Sequence, residues 1–174
     1  MTKKWLATLL LPCLLLFAPA LGAQTPQEED LDVKYAAELL KPGTKAPTFT
    51  LSDINGKTVK LKQFRGKNVV LVFWASWCPD CRAEVPLLKE MYASADPKKT
   101  VFVSISYDRE FAQLTRFIQE NDLPGIQLFD PAGTKESQIG KDYHIQWIPS
   151  LYLIGPDGKV KLSTVVAEKI AAAL

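Results

Sequence analysis

Cysteine and histidine are scarce in this chain, which has three cysteines and one histidine among 174 residues. That scarcity excludes a small scaffold held together by several disulfides. An excess of charge is absent too, because Lys3 and Lys4 account for the whole formal net charge of +2. Without a basic surface to attract phosphates, we expect no nucleic-acid partner. Internal repeats are also absent, and 47% apolar residues are enough to bury the core of one domain.

The first 23 residues have the order of a secretory signal peptide. Lys3 and Lys4 form a short basic region, Trp5 to Phe17 is almost entirely apolar, and small residues follow up to Ala23. We therefore predict a cleaved signal peptide at 1–23 and a mature protein in the periplasm or cell envelope. An uncleaved membrane anchor is the alternative, because the apolar stretch is nearly long enough to span a bilayer.

Cleavage of the signal peptide would leave one pair of cysteines. Cys13 would be lost with the signal, and Cys78 and Cys81 would remain. Two thiols and His144 cannot supply the four ligands of a structural zinc site. The mature protein therefore has an isolated Cys-x-x-Cys motif outside the cytoplasm.

Residues 24–41 form a polar leader with a short helix, and in residues 42–174 predicted strands alternate with helices. That alternation predicts a mixed α/β sandwich with parallel strands in a central sheet covered on both faces. Asn55-Gly56 and Gly155-Pro156-Asp157-Gly158 are turn signals that predict two hairpins. The predicted strands are Phe49–Leu51, Thr58–Leu61, Asn68–Phe73, Thr100–Ser106, Ile126–Phe129, Leu151–Ile154 and Val160–Leu162. The predicted helices are Leu31–Leu40, Pro79 to about Ala93, a segment from Phe111 that stops before Pro124, Thr134–Tyr143 and Val165–Leu174.

The two cysteines lie where a buried strand ends and a helix begins. Free N–H groups and the dipole at a helix N-terminus stabilise negative charge, which favours the thiolate of Cys78. Cys81 lies one turn deeper on the same face, within reach to form a disulfide. We expect Cys78 to attack a substrate disulfide and the less exposed Cys81 to resolve the mixed disulfide. A structural pair that never turns over is the alternative.

Glu84, one turn beyond Cys81, is a candidate acid–base residue. A half-buried carboxylate near a buried thiol can accept its proton, and burial brings the carboxyl pKa toward the working range. From spacing alone, an exposed helix glutamate is the alternative. Pro86 removes an N–H inside the same helix and predicts a kink.

The candidate substrate-binding surface surrounds Cys78. Ile148-Pro149 precedes a predicted strand, and a cis bond there would let a substrate peptide pair with the backbone of Ile148. Trp147 is a further candidate for this surface, and for an isolated aromatic residue core packing is an alternative of at least equal weight. The residues that we expect to bind substrate are Trp77, Pro79, Asp80, Ile148 and Pro149.

Four segments carry a family resemblance: Ala46-Pro47-x-Phe49-x-Leu51, Phe73-Trp74-Ala75-Ser76-Trp77-Cys78-Pro79-Asp80-Cys81, Glu84-x-Pro86 and Ile148-Pro149-Ser150. With them the chain resembles thioredoxin-fold thiol–disulfide oxidoreductases, and more specifically the exported TlpA/ResA-like group of bacterial envelopes. The resemblance runs from about Pro42 to the C-terminus. It implies a thioredoxin-like three-layer sandwich with a mixed central sheet, an N-terminal β-hairpin and a mid-chain helix–strand insertion.

The resemblance also implies roles for individual residues. Cys78 matches the family nucleophile, Cys81 its resolving thiol, Glu84 its buried acid and Pro149 its cis-proline. Cytoplasmic thioredoxins carry a buried aspartate six residues before the first cysteine, where this chain has Val72, so the acid–base role falls to Glu84. The implied partners are substrate proteins with disulfides and a membrane or thiol-protein electron donor. We expect a monomer that needs no metal or organic cofactor beyond its own redox-active disulfide.

The direction of the reaction depends on the residues between the cysteines. Pro79-Asp80 departs from the Gly-Pro of typical thioredoxins and from the Glu-Pro of one branch of the resembled group. The charge of Asp80 disfavours a neighbouring thiolate, which favours a reductase.

Three other functions remain open from the sequence. A Cu(I) carrier would use Cys78, Cys81 and His144 as ligands. A thiol peroxidase would want a threonine where this chain has Ala75. A non-catalytic adaptor would not require the cysteine pair.

Overall fold

The computed structural model describes residues 30–174. The predicted signal peptide and most of the predicted leader lie outside the described residues. Within 30–174 no helix is long and apolar enough to cross a membrane. The helices are α1 (Leu31–Tyr35), α2 (Pro79–Ala83), α3 (Val85–Ser94), α4 (Phe111–Asn121), α5 (Gly133–Glu136), α6 (Gln138–Asp142) and α7 (Ala167–Ala171). The strands are β1 (Thr50–Ser52), β2 (Thr58–Lys60), β3 (Asn68–Trp74), β4 (Thr100–Ser106), β5 (Ile126–Phe129), β6 (Ser150–Ile154) and β7 (Val160–Thr164).

Five strands form the central sheet, in the order β5-β4-β3-β6-β7. β3 lies in the middle, and its residues from Val69 to Trp74 are all buried, as expected of a continuous apolar strand covered on both faces. β4 and β5 run parallel to β3, whereas β6 is antiparallel to it and β7 is antiparallel to β6. The mixed sheet flanked by helices that the sequence predicts is therefore confirmed.

The first predicted hairpin forms a small sheet of its own. β1 and β2 pair antiparallel, with Leu51 opposite Val59, and the turn between them has Gly56 at a φ of +80°. The bridge between Asp53 and Leu128 is its link to β5 of the central sheet. A 3₁₀ turn at Leu61–Phe64, which the sequence analysis did not predict, connects the hairpin to β3.

Two long predicted helices are divided in the structure. The helix predicted from Pro79 to about Ala93 breaks at Glu84 into α2 and α3, because Pro86 has no N–H to continue the ladder of hydrogen bonds. The helix predicted for Thr134–Tyr143 breaks at Ser137 into α5 and α6. The Ser137 hydroxyl accepts the Gly140 N–H at 2.8 Å and donates to Asp130 at 2.6 Å, so it begins a new helix.

The terminal helices are shorter than predicted. α1 ends at Tyr35 instead of Leu40, and α7 covers Ala167–Ala171 instead of Val165–Leu174. The Asp32 carboxylate accepts the Val165 N–H at 2.8 Å and the Thr164 hydroxyl at 2.8 Å. These bonds hold the chain before α7 in a non-helical conformation that local propensity does not show.

Aromatic side chains fill the core around the carboxyl end of β3. The Phe73 ring lies 5.3 Å from the Tyr143 ring and 6.1 Å from each of the Tyr107 and Tyr152 rings, measured between centroids. Tyr143 donates its hydroxyl to the carbonyl of Pro47 at 2.8 Å. All four rings are almost fully buried, so the end of β3 and the loop that follows it are held on a well-packed base.

Candidate active site

The loop that follows β3 leads directly to the two cysteines. Cys78 is the N-cap of α2, and its Sγ accepts the backbone N–H of Cys81 at 3.3 Å. Pro79 occupies the first turn of the helix, where its missing N–H has no cost. Both cysteines are free thiols. The structure thus places the pair at a strand-to-helix junction, with Cys78 in contact with the first helical turn.

The two thiols differ in their surroundings. Cys78 is 5% exposed and Cys81 only 2%. Burial raises the pKa of the Cys81 thiol, and the hydrogen bond with Cys78 and the charge of Asp80 raise it further. Cys81 is therefore held as a neutral thiol that needs a base before it can act as a nucleophile.

A distant segment completes the surroundings of Cys78. The Ile148–Pro149 peptide bond is cis, and the carbonyl of Ile148 lies 3.6 Å from Cys78 Sγ. Seventy positions separate these residues in the chain. The segment before β6 therefore packs directly against the first cysteine.

The predicted substrate-binding residues are brought together around this contact, with different exposures. Pro79 and Asp80 are exposed, whereas Ile148 and Pro149 are buried. Trp77 is 51% exposed and Trp147 is 40% exposed. The ring of Tyr35, from α1, stacks on Trp147 at a centroid distance of 4.4 Å. A partly exposed indole thus precedes each of the two elements that meet here, Trp77 before Cys78 and Trp147 before Ile148.

Glu84 lies at the break between α2 and α3, half-buried, and lines a cavity that Cys81 and Pro149 also line. Burial raises the pKa of its carboxyl group, and the negative charges of Glu168 and Asp80 add to that effect. A hydrogen bond from the backbone of Ala167, at the start of α7, acts in the opposite direction. The raised pKa makes Glu84 better suited to exchange a proton near neutral pH.

Asp108 was not singled out by the sequence analysis. It is fully buried and accepts the Ser76 N–H at 3.0 Å, the Ser76 hydroxyl at 2.6 Å and the Ser106 hydroxyl at 2.6 Å. Ser76 is two residues before Cys78, so Asp108 fixes the loop that carries the first cysteine. The sequence does offer one signal for Asp108, its position just after β4. The carboxyl ends of parallel strands meet at one edge of a sheet, so a residue there lies near the loop that follows β3.

His144 does not join the cysteines. It is exposed, and its Nδ1 pairs with the Glu38 carbonyl at 3.1 Å. Among residues 30–174 no three His, Cys, Asp or Glu side chains are grouped as a metal site. The ligand set of the Cu(I) carrier alternative is therefore not assembled.

Comparison with known proteins places this geometry among redox proteins. The model of the AhpC/TSA family matches residues 42–163. The thiol-disulfide oxidoreductase ResA of Bacillus thuringiensis subsp. konkukian is 34% identical over 123 residues, which are 71% of this chain and 69% of ResA.

Two solved structures are similar in both sequence and fold. A Chlorobium tepidum protein described as thiol:disulfide interchange protein DsbE is 34% identical, with a TM-score of 0.68 over 77% of this chain and 94% of its own. A secreted Mycobacterium tuberculosis disulfide oxidoreductase, homologous to Escherichia coli DsbE, is 26% identical, with a TM-score of 0.62 over 72% of this chain and 96% of its own.

Proposed function

The chain belongs to the AhpC/TSA family and is a thioredoxin-fold thiol–disulfide oxidoreductase similar to ResA, and from this premise we propose that it reduces protein disulfides outside the cytoplasm. Cys78 is the attacking thiol and Cys81 the resolving thiol. One observation carries the assignment: Cys78 Sγ lies within 3.3 Å of the backbone nitrogen of Cys81 and 3.6 Å of the carbonyl of Ile148, at the start of α2.

The proposed reaction has two displacements. The Cys78 thiolate attacks one sulfur of a substrate disulfide, forms a mixed disulfide and releases the other substrate sulfur, which takes up a proton. Cys81 then gives up its proton and attacks Cys78 Sγ. The Cys78–Cys81 disulfide forms while the second substrate sulfur leaves as a thiol. The substrate gains two electrons and two protons, and the cysteine pair becomes oxidised.

Glu84 is the proposed proton acceptor for the second displacement. Cys81 is buried and neutral, and Glu84 lines the same cavity with a raised carboxyl pKa. Asp80 is exposed on the first turn of α2, whereas Glu84 lines the same cavity as the thiol that must ionise. Glu84 returns the proton to solvent after the substrate has left.

The substrate surface consists of Trp77, Pro79, Asp80, Ile148 and Pro149. The backbone of Ile148 can pair with an extended substrate strand, and the indole of Trp77 can cover its side chains. Burial raises the pKa of Cys81, and the charge of Asp80 adds to that effect, so this thiol contributes no thiolate of the kind that stabilises the reduced form of strong oxidants. That absence supports a reductase.

Export is proposed from the signal-like order of residues 1–23 and from the secreted Mycobacterium tuberculosis relative. A protein that leaves oxidised needs a donor of electrons. We propose a membrane or thiol-protein donor, with no metal or organic cofactor in this chain, since its two cysteines carry both electrons.

Trapping of the mixed disulfide tests the proposal. With Cys13 replaced by serine throughout, Cys81→Ser is mixed with insulin as a disulfide-bearing protein. We expect a covalent complex that survives non-reducing electrophoresis and is cleaved by dithiothreitol, because the resolving step is blocked. The matched variant Cys78→Ser is expected to give none.

Complexes formed by Cys78→Ser and absent from Cys81→Ser would reverse the two roles. Turnover of hydrogen peroxide without reduction of insulin would instead support the thiol peroxidase alternative.

A further inference from the structure

A small cavity lies beneath the cysteine pair. Its volume of about 20 Å³ is enough for a single water molecule, whose minimum requirement is about 10–15 Å³ on the same measure. Most of its wall is apolar. The polar side chains that line it are those of Trp74, Cys81, Glu84, Ser104 and Gln127.

Two of these side chains carry buried polar atoms without a protein partner. Trp74 is 4% exposed and Gln127 is 5% exposed, yet neither Trp74 Nε1 nor Gln127 Oε1 has a hydrogen bond. The orientation of the Gln127 amide is fixed, because its Nε2 donates to the Pro124 carbonyl at 2.7 Å and only the oxygen remains. Two residues of the cavity wall therefore carry one orphaned donor and one orphaned acceptor, and leaving both unpaired is costly.

Water is the ligand that fits this arrangement, since it can accept from the indole N–H and donate to the amide oxygen at once. Its second hydrogen is then free for the other polar groups of the cavity. We propose that Trp74 and Gln127 hold a water molecule in this cavity that carries the proton from Cys81 to Glu84. The inference rests on the proposed function, because it presumes that Glu84 receives this proton.

The relay has a defined balance. The Cys81 S–H bond breaks as the water takes its proton, and the water gives one of its own protons to the Glu84 carboxylate. The sulfur, now a thiolate, attacks Cys78 Sγ and expels the substrate sulfur. The water is regenerated, and no group other than the sulfurs changes its oxidation state.

The charges around Glu84 favour its role as the end of the relay. Glu168 on α7 and Asp80 on α2 both oppose its ionised form, and the Ala167 N–H supports it. Among the residues that line the cavity, Glu84 is the one carboxyl group, so a proton that leaves Cys81 by this route has one acceptor of suitable basicity.

Gln127 and Trp74 are thus positioning residues that act through the water. Gln127 is also the single polar residue of β5, whose other members are Ile126, Leu128 and Phe129. The bond from its Nε2 to the Pro124 carbonyl accounts for one end of the amide, and the relay accounts for the other.

The test separates the two displacements with Ellman's reagent, a chromogenic aryl disulfide. With Cys13 replaced by serine, attack by Cys78 releases one aryl thiolate and resolution by Cys81 releases the second. We expect Gln127→Leu to slow the second phase about tenfold near neutral pH and to leave the first unchanged. The difference in second-phase rate between Gln127→Leu and the parent protein is expected to narrow at alkaline pH, because hydroxide can then take the proton of Cys81 directly. Leu123→Met, a change of an apolar residue in the same cavity wall, is the control and leaves both phases unchanged.

Comparison with Glu84→Gln distinguishes the inference from the function on which it rests. Equal slowing in Gln127→Leu, Glu84→Gln and the double variant supports one shared relay. An unchanged second phase in Gln127→Leu, beside a slowed one in Glu84→Gln, overturns the relay and leaves the role of Glu84 intact. An unchanged second phase in Glu84→Gln overturns both.

A measurement on the unaltered chain keeps the inference testable if a variant fails to fold. A crystal structure of the reduced protein is expected to show an ordered water within hydrogen-bond distance of Gln127 Oε1 and Trp74 Nε1. A dry cavity at a resolution that shows other buried waters would overturn the proposal.

Discussion

At the scale of single residues, Asp108 fixes the loop that leads to the cysteine pair. Its carboxylate is fully buried, and no lysine or arginine among residues 30–174 is bonded to it, so its stability depends on the hydrogen bonds from Ser76 and Ser106. Those bonds fix both the backbone and the side chain of Ser76. We infer that Asp108 positions Cys78 through this loop and takes no part in the chemistry.

Replacement of Asp108 by asparagine tests that role. The amide has one acceptor oxygen instead of two, so at least one serine hydrogen bond is lost at a cost of roughly 2 kcal/mol in the free energy of unfolding. We expect the first phase with Ellman's reagent, attack by Cys78, to slow several-fold. Stability is measured by urea unfolding and the two phases by stopped flow.

Asp130→Asn is the matched control. Asp130 is also buried and bonds Ser137 at 2.6 Å, but it follows β5, which β4 separates from β3. A similar loss of stability with an unchanged first phase is expected there. If both variants slow Cys78 equally, general loosening of the fold explains the effect and the positioning role is wrong.

The contrast between Cys78 and Asp108 shows what a sequence reveals about single residues. The two cysteines are a local pattern, and their place at a strand-to-helix junction follows from the residues around them. Asp108 meets Ser76 only when β3 and β4 pair, because the two residues are 32 positions apart in the chain. Gln127 and Cys81 likewise line one cavity only after the helix has packed on the sheet, so neither role has a local signature.

At the scale of elements, α1 is joined to the end of the domain by side-chain hydrogen bonds. Asp32 accepts from Thr164 and Val165, and Lys169 of α7 bonds both Asp32 and Asp30. On the same helix Tyr35 stacks on Trp147, two residues before Pro149. A short helix that would be unstable alone thereby reaches the edge of the substrate surface.

Removal of the Asp32 carboxylate is expected to release this helix. Asp32→Ala leaves the Val165 N–H and the Thr164 hydroxyl without their acceptor, which should lower the free energy of unfolding by about 1–2 kcal/mol. Faster amide hydrogen exchange over 31–36 should accompany that loss. Asp30→Ala, which loses the N-cap of α1 and an exposed ion pair, is the comparison and should cost less. Unchanged exchange in Asp32→Ala would show that the helix is held by packing alone.

The elements themselves were predictable to different degrees. β4 and β5 match their predicted ranges, and β3 extends the prediction by one residue, because short, mostly apolar runs bounded by turn residues are a strong local signal. The helix ends were less predictable. Ser137 divides one predicted helix through its bond to Asp130, and Asp32 holds the start of another from the opposite end of the chain.

For the whole molecule, the state of the cysteine pair changes how stability depends on pH. In the reduced protein, burial keeps the folded pKa of Cys81 above its unfolded value. Above a pH of about 8.5 the unfolded chain loses this proton while the folded chain retains it, so the stability of the reduced form falls as the pH rises. The oxidised form has no such thiol. Buried Tyr107, Tyr143 and Tyr152 also have raised pKa values, but they change the stability of the reduced and oxidised forms by the same amount.

The reduction potential of the pair compares the same two forms. A protein that reduces disulfides needs a low potential, so the proposed function predicts a value near thioredoxin's, at about −270 mV, and an oxidised form that is more stable to urea. The difference in unfolding free energy between the two forms should widen from pH 7.5 to pH 10, in the range above about 8.5 where Cys81 contributes. Titration against glutathione or dithiothreitol buffers measures the potential, and urea unfolding of both forms measures the stabilities. A potential near about −120 mV with the reduced form more stable would make the protein an oxidant of exported chains, since that is the pattern of pairs whose reduced state is stabilised.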